Sequence, residues 1–175
     1  SGAVVQEIAE HGIDGIEIIT AILPVEFKRS AEILINLIET HQPSVVISLG
    51  QAEGRDFIGP EQVAINLANA RIADNAGVKL ENQPINTLAA DGYFSTLPIR
   101  AIVDAISALG ISAKISLSAG AFICNEIFFT DNEPYFERNR FFLSANYRIS
   151  PLFSTQLTYM KQLFIHYFTK MLLVF

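Results

Sequence analysis

The sequence predicts an α/β fold in one domain, built on a parallel sheet with helices packed against it. Three observations predict it. Strand-period and helix-period apolar patterns alternate along the chain from its first residues. The first clear elements run strand, helix, strand, the order of a βαβ unit. At 175 residues, half of them hydrophobic, the chain carries enough apolar material for one well-buried core and is too short for two ordinary domains.

Residues 3 to 10, with Val4, Val5, Ile8 and Ala9, read as a short helix, and Ile16 to Leu23 as a strand that Pro24 stops. Phe27, Ala31, Leu34, Ile35 and Ile38 then fall on one helical face, and His41-Gln42-Pro43 is its exit. Val45 to Gly50 is a buried strand ending at glycine. Residues 62 to 72 alternate by twos before the turn residues Asp74 to Gly77, which predicts a β-excursion, a hairpin with whatever follows Gly77. Ser95 or Thr96 is placed to cap a helix that buries Ile99, Ile102, Val103, Ile106 and Leu109 and that Gly110 closes. Ala113 to Ser118 reads as the next strand. Gly120 turns the chain into a helix over 121 to 129, with Cys124 in or near its first turn. Residues 130 to 162 read as irregular, and the apolar tail from Leu163 as a buried terminal element rather than an interfacial helix.

Composition excludes several functions. Lys and Arg number 12 against 18 Asp and Glu, a net charge of −6, with no basic run to follow a phosphate backbone, so nucleic acid is not expected as a partner. No segment has the roughly 18 consecutive apolar residues of a membrane span, and none has the layout of a secretory signal, so a soluble protein without a membrane partner is expected. One cysteine makes no internal disulfide, and no Cys/His cluster has zinc-ligand spacing. A cytoplasmic setting with no metal and no cofactor is the expectation.

That cysteine, Cys124, stands in Ser118-Ala-Gly-Ala-Phe-Ile-Cys124-Asn125. A helix start favours thiolate over thiol through its unpaired N–H groups and its dipole, which makes Cys124 a candidate nucleophile. Alone the signal is weak, because a single cysteine in an apolar run usually packs. Three further blocks accompany it: Gly50-Gln-Ala-Glu-Gly-Arg55, then Pro60-Glu-Gln-Val-Ala-Ile-Asn-Leu-Ala-Asn-Ala-Arg-Ile-Ala-Asp-Asn75, then Asp91-Gly-Tyr-Phe-Ser-Thr-Leu-Pro-Ile99. In this order and at these separations the chain resembles pyroglutamyl peptidase I, a cysteine peptidase family, from about Leu23-Pro24 to Phe129.

The resemblance implies a three-layer α/β/α sandwich around a mostly parallel sheet. It also implies removal of N-terminal pyroglutamate from peptides by a Cys-His-Glu triad. By position the nucleophile is Cys124 and the acidic member Glu61. Arg71 matches an arginine beside the nucleophile that stabilises charge on the reacting oxygen. Gln51, Ile72, Phe122 and Ile123 match positions lining the pyroglutamate pocket, and apolar walls with a few amide partners suit a compact neutral lactam. Without the resemblance these residues read differently: Glu61 as a solvated acid, Arg71 as a surface ion pair with Asp74, Phe122 and Ile123 as core.

The chain departs from the family pattern at both ends. Phe164-Ile-His166 reproduces the family's local histidine run, but far downstream of the cysteine and followed by Tyr167 where the family has a proline-containing loop. His166 is the triad's third member on this reading, and His11 and His41 read as solvated. Residues 1 to 175 are expected to form a single peptidase-like domain whose segment 130–175 diverges. The family's first strand and its aromatic loop have no counterpart, a gap in the sheet unless a partner or the tail fills it. A truncated or degenerate, catalytically inactive member is the alternative, and self-association as a homo-oligomer is compatible with either.

Overall fold

The computed structural model describes residues 8–12, 14–52, 54–131, 139–145 and 170–174. Seven strands and three helices are named within them: β1 (Glu17–Ala21), α1 (Arg29–His41), β2 (Val45–Gln51), β3 (Gly59–Pro60), β4 (Val63–Ile65), β5 (Gly92–Phe94), α2 (Ile99–Ala108), α3 (Ile123–Asp131), β6 (Asn139–Ala145) and β7 (Lys170–Val174). A helical turn at residues 8–11 precedes β1.

Five strands form one sheet in the order β1-β7-β2-β6-β3, and β4 pairs with β5 apart from it. β7 runs parallel to β1 on one side and to β2 on the other, and β2 runs parallel to β6; β3 meets β6 antiparallel. β2 lies at the middle of the sheet because its side chains are apolar on both faces. Val45 and Ile47 pack into a cluster with Ile8, Ile16, Ile58, Ile102 and Ile106. Val46 packs into the other, with Leu34, Ile38, Phe128 and Leu172. The sheet is therefore covered on one face by α2 and the 8–11 turn, and on the opposite face by α1 and α3.

The spacing that predicts α1 is the spacing that buries it: Phe27, Ala31, Leu34 and Ile38 are all buried. Its start is capped from a distance. The Asp74 carboxylate accepts the Phe27 N–H at 2.8 Å, and Glu126 of α3 accepts the Lys28 N–H at 3.1 and 3.0 Å. Burial acts to raise the Asp74 carboxyl, but N–H groups from Phe27, Val78, Ala76 and Gly77 outweigh it and leave the group below its ordinary value. The Asp74 carboxylate, which the reading without the resemblance pairs with Arg71, is thus bonded to backbone N–H groups. The helix ends at Gln42 in the left-handed conformation, φ 49°, whose N–H bonds the Ile38 carbonyl.

Four expectations need correction. Among the described residues, α2 receives no side-chain cap from Ser95 or Thr96; Pro98 takes the cap position, and the Ser95 hydroxyl receives the Leu97 N–H instead. The predicted strand at 113–118 is held only by isolated bridges, Ile58 to Ala113 and Glu61 to Ser116. The excursion after residue 62 does fold back past Gly77, with Ala70 N–H on the Leu80 carbonyl and a bridge between Ala68 and Gln83, but the regular partner of β4 is β5. Gly92 makes that pairing fit, since a Cβ there would sit 2.8 Å from the Ala64 carbonyl oxygen. Lastly, residues 139–145 form β6 within the stretch expected to be irregular. The tail expectation agrees with β7, where Leu172 and Val174 are buried.

Candidate active site

α3 begins where the chain needs a sharp reversal. Gly120 takes φ 83°, a value costly for other residues, and the helix starts at Ile123. Cys124 is its second residue. The side chain of Asn125, fully buried, fixes this start to β4: its oxygen accepts the Ile65 N–H at 3.0 Å, while its amide donates to the carbonyls of Ile65 at 2.8 Å and Leu67 at 3.0 Å. Three such bonds contribute roughly 1 kcal/mol each and hold the helix start in one register. The Asn69 N–H adds a bond to the Ala121 carbonyl. Phe122 is half-buried and meets the buried Phe27 edge to face, centroids 5.3 Å apart, and Ile123 lies in the core.

Glu61 follows β3 and is fully buried, contrary to its reading as a solvated acid. Its backbone is pinned on both sides, by the Ser116 N–H on the Pro60 carbonyl at 2.9 Å and the Gln62 N–H on the Ser116 carbonyl at 2.7 Å. Its carboxylate oxygen Oε1 accepts a charge-assisted bond from the Arg55 guanidinium at 2.8 Å.

The charge of Glu61 acts on Cys124, and the direction differs from the helix-start expectation. Burial, and then the negative charge of Glu61, push the Cys124 thiol up to about 11; the backbone N–H of Cys124 and the Arg55 cation pull the other way and lose. The resting thiol therefore carries its proton at neutral pH. Because Cys124 is the only cysteine, iodoacetamide labelling reads it alone. The rate is expected to climb about tenfold per pH unit from pH 7 through pH 10. A plateau at or below pH 8.5 would show the thiol to be more acidic than its burial and the Glu61 charge dictate.

The other expected site residues divide. Phe122 and Ile123 immediately precede Cys124 in sequence, at the start of its helix. Gln51 ends β2 exposed, Arg71 is exposed, and Ile72 is 69% exposed. Among the described residues, no hydrogen bond or ion pair joins these three to Cys124. His166 lies outside the described residues. His11 is exposed and His41 partly buried. The cation that acts on the thiol is Arg55, which sequence reasoning left unassigned although it closes the first matched block. Among the described residues no group of three or more His, Cys, Asp or Glu could hold a metal ion, and no helix is long and apolar enough to cross a membrane.

The family model for pyroglutamyl peptidases matches residues 1–151. The chain belongs to the pyroglutamyl peptidase family. It is 44% identical over 125 residues to a pyrrolidone-carboxylate peptidase of Vibrio vulnificus, covering 71% of this chain and 59% of that protein. A second relative, pyrrolidone-carboxylate peptidase 1 of Ralstonia nicotianae, is 46% identical over 129 residues, covering 71% and 58%. The chain thus spans less than two-thirds of the length of these relatives. The crystal structure of pyroglutamyl peptidase I from Bacillus amyloliquefaciens superposes with a TM-score of 0.81 at 29% identity, over 90% of this chain and 84% of that one. A mutant pyrrolidone carboxyl peptidase from Pyrococcus furiosus superposes with a TM-score of 0.69 at 36% identity, over 71% and 62%. Membership in the pyroglutamyl peptidase family agrees with the resemblance drawn from the sequence blocks.

Proposed function

We propose that this chain is a cysteine exopeptidase that removes N-terminal pyroglutamate from peptides, with Cys124 as nucleophile, Glu61 as orienting acid and His166 as base. The observation that supports the reading is the buried Glu61 carboxylate, whose charge acts on the thiol of Cys124, both being positions that match the family's blocks. In the proposed reaction His166 takes the thiol proton as sulfur bonds to the pyroglutamyl carbonyl carbon. The C–N bond then breaks, the leaving amine receives the proton, and water hydrolyses the S-acyl intermediate. Arg71 is assigned to the charge developing on the carbonyl oxygen. Gln51, Ile72, Phe122 and Ile123 are assigned to the lactam ring. The lone cysteine supports a cytoplasmic site of action, and the helices on both sheet faces support the three-layer sandwich.

The test is release of a chromogenic amine from its pyroglutamyl amide, compared with the prolyl and glutamyl amides. Release from the first alone is the expected result; equal release from all three would remove the lactam specificity. The raised thiol favours a second reading, a non-catalytic member of the family. No release, together with retained binding of a pyroglutamyl peptide, would select it.

A further inference from the structure

We propose that Arg55 is a positioning residue of this site: its guanidinium holds the Glu61 carboxylate in place and offsets, at Cys124, the negative charge that Glu61 brings. The inference rests on reading Cys124 and Glu61 as members of one reacting group. Arg55 comes from the turn after β2, where its N–H bonds the Ala52 carbonyl at 3.4 Å. From there its Nη1 reaches Glu61 Oε1 at 2.8 Å, with the carboxylate side chain 1% exposed and the guanidinium 28% exposed. Phe57 lies beneath, its ring 5.8 Å from the Arg55 guanidinium carbon and 5.1 Å from the ammonium of Lys114. Arg55 is thus held from two sides, by a ring and by a carboxylate.

The arrangement answers an electrostatic difficulty. An orienting carboxylate near a thiol works against formation of the thiolate, and this pair lies in a buried setting where charges act strongly. Among the described residues, the charged groups that act on the Cys124 thiol are Glu61 and Arg55, with opposite effects. Lys114 shares the Phe57 ring with Arg55. A cation bonded to Glu61 lets the carboxylate keep its place while part of its field at the sulfur is cancelled. Arg71, exposed and without such a bond among the described residues, does not do this.

The test measures iodoacetamide labelling of the single cysteine at pH 9, and hydrolysis of the pyroglutamyl amide, in Arg55→Gln, Glu61→Gln, the double variant and Arg55→Lys. Arg55→Gln is expected to slow labelling about 3- to 10-fold, Glu61→Gln to speed it by a similar factor, and the double variant to return within about twofold of wild type. Arg55→Lys keeps the charge and so the labelling rate, but loses about tenfold in kcat with KM unchanged, because an ammonium lacks the planar fork that orients a carboxylate. Equal labelling of folded Arg55→Gln and wild type, or further slowing in the double variant, overturns the proposal. Should Arg55→Gln fail to fold, Glu61→Gln decides, since unchanged or slower labelling there overturns it as well. Labelling that follows the expected pattern in a chain that releases no amine removes the peptidase reading and leaves the charge coupling standing. Labelling indifferent to both charges in an active enzyme removes the coupling alone.

Discussion

Cys124→Ser is expected to lower kcat/KM for a pyroglutamyl chromogenic amide by more than about 10³-fold, with the fold intact. The hydroxyl is a far weaker acid than the thiol, and the burial and Glu61 charge that already push the Cys124 thiol up to about 11 act against an alkoxide in the same way. The substitution changes little volume at a half-buried position, so the change in stability should stay under about 1.5 kcal/mol. Loss of activity therefore reports chemistry and not unfolding. Thermal melting of both proteins supplies the control, and iodoacetamide labelling should vanish with the cysteine. Turnover within about tenfold of wild type would place the nucleophile elsewhere and remove the S-acyl mechanism.

Leu172→Asp is expected to cost about 4 kcal/mol, a large share of the stability of an ordinary domain. Leu172 is fully buried in β7, in the same cluster as Val46, Leu34 and Phe128. An aspartate there either keeps its charge in an apolar surround or takes up a proton, and both routes disfavour the folded state. β7 is also the only described partner of β1 and bonds β2 on its other edge. Leu172→Met, which conserves volume, should cost less than about 1.5 kcal/mol. Urea unfolding followed by circular dichroism checks both values. A Leu172→Asp midpoint equal to that of wild type would show that β7 is dispensable to the sheet.

Much of this architecture was legible in the sequence because local pattern and global packing agree. Phe27, Ala31, Leu34 and Ile38 repeat with the helical period, and each is buried; Val45 to Ile47 is a β-branched run, and it forms the middle strand. β6 was not legible, since Asn139-Arg140-Phe141-Phe142 shows neither clean alternation nor a continuous apolar run, and it becomes a strand through its pairing with β2 and β3. The reverse holds for residues 113–118, whose alternation suits a strand but which find only two isolated bridges.

The site follows the same division. Cys124 and Glu61 could be named from ordered blocks of sequence. That Glu61 would be buried, and that the cation acting on the thiol would be Arg55, depend on how the turn after β2 folds beside residues 59–62, which no residue spacing encodes. The expectation of a stabilised thiolate rested on the helix start alone, and in the folded chain desolvation and a neighbouring anion outweigh that local effect.

The strand order has a consequence for how the protein is made. β1 and β2 leave the ribosome early and close together, yet the place between them is taken by residues 170–174, synthesised after every other described element. Until those residues emerge, two apolar strands of the nascent chain have hydrogen-bonding edges open to any extended peptide nearby, including another nascent copy. Closure of the main sheet accordingly waits on a contact between residues far apart in sequence, which slows its folding.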